Sequence, residues 1–92
     1  MQRCEDERDH GGRIVIEGDE ALRDRLGAAL RSTLGERRRF YRVAMQSVGR
    51  NGEFLVTVSS AKGRLPLLFG TEDVEPGHVA SVVMQNVERV AL

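Results

Sequence analysis

The spacing of apolar residues changes period along this chain, and that change constrains the fold more than any other feature. "RIVIEG" places Ile14 and Ile16 on one face and Arg13, Val15 and Glu17 on the other, the alternation of a short strand. "GDEALRDRLGAALRSTLGERRR" then brings Leu22, Leu26, Ala29, Leu30 and Thr33 round at threes and fours, which puts them on one face of a helix. Asp19 suits the N-cap of that helix, Glu20 the positive end of its dipole, and Gly35 its C-terminal cap. Gly27 falls mid-helix, where it costs about 1 kcal/mol relative to alanine, and close packing on a sheet is the expected reason.

Alternation then returns. Tyr41, Val43 and Met45 alternate with Arg42, Ala44 and Gln46, and after a break around Asn51-Gly52, a hairpin signal, Phe54, Val56 and Val58 alternate with Glu53, Leu55 and Thr57. A second break, "SSAKG", leads to "RLPLLF", where Leu65, Leu67 and Phe69 share a face. Pro66 lacks a ladder donor and so points to an edge position. "VEPGHVASVVMQNVERVAL" restores helical spacing through Val79, Val82, Val83, Asn86, Val87 and Val90, with Asp73 or Thr71 as N-cap and Pro76 in the first turn. Its valines are poor helix formers, so this helix is expected to form by docking. The predicted fold is α+β, a two-layer β-α-β-β-β-α sandwich with a four-stranded, mostly antiparallel sheet and two helices on one face.

Ninety-two residues support one core, which residues 13–92 are expected to supply. Residues 1–12, "MQRCEDERDHGG", have no apolar periodicity and read as a disordered, charged tail. The sequence shows neither a run long enough to span a bilayer nor the apolar stretch of a signal peptide, and Cys4 is the single cysteine. A cytoplasmic protein with no membrane partner is the expectation.

Catalytic chemistry finds little to work with. His10 falls in the tail and His78 in the first turn of the last helix, and no spacing brings Cys4 or Ser60 to either as an activated nucleophile. Cys4, Asp9 and His10 match no zinc pattern, and the glycine-bearing breaks match neither a P-loop nor a dinucleotide fingerprint. Glu72, Asp73 and Glu75 precede a helix, where capping and the dipole already favour acids. No catalytic residue, metal or cofactor is expected.

Charge is distributed unevenly. Residues 1–20 carry −4, residues 21–64 carry +7 and residues 65–92 carry −3, so a net charge of zero conceals a basic middle. Arg31, Arg37, Arg38, Arg39 and Arg42 crowd the end of the first helix and the entry to the second strand, a candidate surface for phosphates or an acidic protein. The other candidate is the back of the sheet, where Val15, Leu55 and Leu68 point away from the core and would form an apolar patch. Two readings follow. One is a non-catalytic interaction module that self-associates, as a homo-oligomer, or binds a protein partner through the sheet edge and back face. The other is an RNA-, ribosome- or DNA-binding module that uses the arginine cluster.

The element order, with "GDEALRDRLGAALRSTLGE" following a first strand, resembles the ribosome-hibernation-factor domain over residues 13–92. That resemblance implies a β-α-β-β-β-α fold and binding of ribosomal RNA through basic helix surfaces. The last helix here carries one basic residue besides His78, Arg89.

Overall fold

The computed structural model describes residues 13–92, so the predicted tail, with Cys4, Asp9 and His10, lies outside the described residues. The elements are β1 (Arg13–Gly18), α1 (Glu20–Gly35), β2 (Phe40–Val48), β3 (Glu53–Ser60), β4 (Gly63–Phe69), a 3-10 turn (Thr71–Asp73) and α2 (Pro76–Arg89). The sheet is open, with strand order β1-β2-β3-β4. Helix α1 is the crossover that lets β1 run parallel to β2, while the two later pairings are antiparallel. This is the predicted α+β sandwich.

Period two sorts the strands into two faces. Tyr41, Val43, Met45, Phe54, Val56, Val58 and Phe69 are buried, and they meet Leu22, Leu26, Leu30 and Leu34 of α1 and Val79, Val83 and Val87 of α2 in one core. Phe54 and Phe69, paired in register, stack with ring centroids 5.3 Å apart. Leu34 belongs to this core although the predicted face stopped at Thr33, whereas Val90, predicted on the buried stripe of α2, lies beyond that helix and is 49% exposed.

The join between β1 and α1 leaves almost no room. Gly18 has φ +111°, and a Cβ there would stand 2.0 Å from the Met45 carbonyl oxygen, so only glycine fits. Immediately after it the Asp19 amide donates to that same carbonyl at 2.8 Å, and the Asp19 carboxylate accepts from the Leu22 amide at 3.1 Å, the expected N-cap. Gly27 does not have the expected reason. A Cβ there would meet only Ile16 Cγ2 at 3.9 Å, an ordinary contact.

Both helix ends differ from their sequence signals. Gly35 is the last residue of α1 and not its cap; the amides of Glu36, Arg37 and Arg38 make successive i→i−3 bonds, and Arg38 takes the left-handed conformation at φ 56°. At the other helix neither Thr71 nor Asp73 is the N-cap. Glu75 holds that position with Pro76 following, because Thr71–Asp73 form their own turn, closed by the Gly70 amide donating to Asp73 Oδ2 at 3.1 Å. After α2 the amides of Leu92 and Ala91 donate to the carbonyls of Val87 and Glu88, a Schellman closure with Ala91 at φ 58°, and this turns Leu92 back into the core.

Candidate functional site

The five arginines of the basic cluster do not act as one patch. Arg31 donates to the Ile14 carbonyl at 2.8 Å. Arg37 donates through Nε to the Tyr41 hydroxyl at 2.7 Å and stands 3.9 Å from Glu88, while Arg39 donates to the Leu92 carbonyl at 3.1 Å. Tyr41 is wholly buried, so its hydroxyl needs partners; it accepts from Arg37 and lies 3.4 Å from the Leu92 carbonyl. Arg42 projects from the opposite face of β2, 3.6 Å from Glu17. Of the five, the exposed Arg38 side chain alone has no hydrogen bond or ion pair among the described residues. Much of the sequence-level cluster therefore serves the fold, by meeting acceptors that the chain itself presents.

The sheet's edges are partly closed as well. At β1, Arg31 and Arg23 reach from α1 to the carbonyls of Ile14 and Gly18, the latter at 3.1 Å, which occupies acceptors that an added strand would use. At β4 the register sets which groups face out. The turn Ala61-Lys62 makes Ser60 and Gly63 the closing pair, so Arg64, Pro66 and Leu68 direct their backbone polar groups to the free edge. Pro66, in the middle of that row, has no donor to offer.

Among the described residues nothing packs over the back face. In register across β2, β3 and β4, one row holds Ala44, Thr57 and Pro66 and the next holds Gln46, Leu55 and Leu68. Leu68 is 64% exposed and Leu55, Ala44 and Thr57 are half-buried, so the two rows form a mostly apolar strip that no helix covers. Val15 shares the face but not the strip. It lies two strands and two rows from Leu55, about 10 Å across and 14 Å along the sheet, with Arg42 and Glu17 between. Sequence reading missed Pro66, Ala44 and Thr57 as members of the strip, although period two already placed them on that face.

Other surfaces are poorer in chemistry. A shallow groove of about 390 Å³ runs between the helices past Ala29, Thr33, Ala80 and Met84, without a titratable side chain in its lining. His78 stands 3.3 Å from Asp73 at the start of α2, both partly solvated. Among the described residues no group of three or more His, Cys, Asp or Glu side chains is placed to hold a metal ion, and no helix is long and apolar enough to cross a membrane. In comparisons with known proteins, no family model, curated protein or solved structure matches this chain.

Proposed function

We propose that the chain is a small, non-catalytic interaction module that self-associates or binds a protein partner through the open back face of its sheet. One observation carries this reading: Leu68, 64% exposed, stands in register beside Leu55 on a face that neither helix covers. Both sheet edges are hindered, at β1 by arginines and at β4 by Pro66, which favours packing through the face over strand addition. The proposed compartment is the cytoplasm, supported by the single cysteine and hence no internal disulfide.

Nucleic-acid binding through the arginine cluster is the weaker reading, because Arg31, Arg37 and Arg39 already donate to internal acceptors. Sedimentation of the full chain, as wild type and as Leu68→Glu, tests the first reading. The expected result is a concentration-dependent dimer or a captured protein partner, lost on substitution while the thermal melt, taken below the associating concentration, stays in place. Submicromolar, salt-sensitive binding of labelled single-stranded RNA by the intact chain would reverse the ranking.

A further inference from the structure

The back face is polarised along the strands. One row holds Val15, Arg42, Ser59 and Arg64, so Ser59 lies between two arginines. Three rows away, about 20 Å along the strand axis, Glu53 pairs with Val48 on the same face. The apolar strip of Ala44, Thr57, Pro66, Leu55 and Leu68 separates the two. Arg64 and Glu53 make no ion pair among the described residues, whereas Arg42 shares Glu17. Arg50 lies in the loop that leads into β3.

A surface with Arg42 and Arg64 at one end, an apolar middle and the Glu53 carboxylate at the other complements its own inverted copy. We propose that the occupant of this face is a second copy of the chain, related by a two-fold axis that crosses the strands between the two apolar rows. This rests on the interaction reading above and specifies its partner and orientation. The operation leaves each strand over its own counterpart, running in the opposite direction, with the sheets about 10 Å apart. Thr57 then faces Leu55 of the second copy, and Pro66 faces its Leu68. Glu53 of each copy comes down opposite Ser59 of the other, with Arg42 and Arg64 on either side of the carboxylate. Two-fold symmetry makes this contact twice. The alternative axis, along the strands, would set β4 over β1 and bring Arg64 against Val15, which leaves Glu53 without a base.

The footprint of the whole back face also limits the strength of the pairing. Four strands about 4.8 Å apart and some eight residues long span roughly 500 Å² in projection, nearer to a weak interface than to a permanent one. Micromolar dissociation is therefore expected.

The test is sedimentation equilibrium on five forms of the full chain: wild type, Leu68→Glu, Glu53→Arg, Arg64→Glu and the double variant carrying the last two, each checked for folding by its thermal melt. Each single charge reversal places like charges together and is expected to raise the dimer dissociation constant about tenfold or more; the double variant should return to within about threefold of wild type. Rescue by the double variant excludes misfolding as the cause. If Leu68→Glu abolishes association while Glu53→Arg leaves it intact, or if the double variant fails to recover, the orientation is wrong and the interaction reading stands. A wild-type chain that stays monomeric at several hundred micromolar overturns both self-association and this inference.

Discussion

The two faces of the sheet are made from the same strands, one residue apart, yet they meet opposite fates. On β3, Phe54, Val56 and Val58 are at most 1% exposed, while their neighbours Leu55 and Thr57 stay partly in solvent. Residue type does not explain this, since Leu55 is as apolar as Val56. The difference comes from what the rest of the chain can supply. Two amphipathic helices provide the apolar stripe Leu22, Leu26, Leu30 and Leu34 together with Val79, Val83 and Val87, enough to cover one face and none to spare for the other. A leucine on the second face is thus exposed by topology, and the comparison separates residues that hold the fold from residues left available to a partner.

The sharpest way to break this contrast is a deletion on the covered face. Phe54 is 1% exposed and stacked on Phe69, so Phe54→Ala removes a buried ring and one partner of the stack. A loss of about 3–5 kcal/mol is expected, visible as a melting temperature lower by roughly 15–30 °C or as a chain that no longer folds. A loss below about 1 kcal/mol would mean that the core is not organised around this pair.

An intermediate effect, of opposite sign, is expected where the helix layer meets the sheet. Gly27 is buried on α1, but an added Cβ meets nothing nearer than Ile16 Cγ2 at 3.9 Å and its φ is helical. Gly27→Ala should therefore stabilise the chain by about 0.5–1 kcal/mol, read as a higher denaturant midpoint, because alanine restricts the unfolded chain without straining the folded one. A destabilised variant would show that the helix sits closer to β1 than these distances imply.

How much of this was readable in the sequence depends on whether the governing interaction is local. Period two and the spacing of threes and fours depend only on neighbours, so the six main elements and the burial of Tyr41 followed from them. The edge position of Pro66 followed from its missing donor. Helix ends were less legible. Gly35 and Thr71 carry the usual signals, but successive short-range bonds take the chain past Gly35, and a turn of their own separates Thr71–Asp73 from α2. Left-handed positions are filled by Arg38 and Ala91, residues that give no warning. The arginine roles were least legible, since Arg31 finds its acceptor 17 residues away and Arg39 finds its own 53 away. A run of basic residues looks like a surface until the fold shows which acceptors lie within reach. Likewise Val15 and Leu55 share a face by period, but only the strand order shows that β2 comes between them.

The smallest expected effect falls on the open face. Leu68→Ala removes the same kind of apolar volume as a core truncation, but at 64% exposure most of that side chain already meets water in the single chain. The transfer term at about 25 cal/mol per Å² then applies only to the fraction covered by Leu55 and the strand surface, and no cavity remains because solvent fills the space. Measured by chemical denaturation below the concentration at which the chain associates, Leu68→Ala should shift stability by no more than about 0.5 kcal/mol. At higher concentration the same substitution should lower the apparent stability further, because a dimer that buries Leu68 stabilises the folded state by mass action and the variant loses part of that contribution. Concentration dependence in the wild type that shrinks in Leu68→Ala is thus the expected signature. A loss of 2 kcal/mol or more that is independent of concentration would place Leu68 in the fold's own packing and erase the distinction between the two faces.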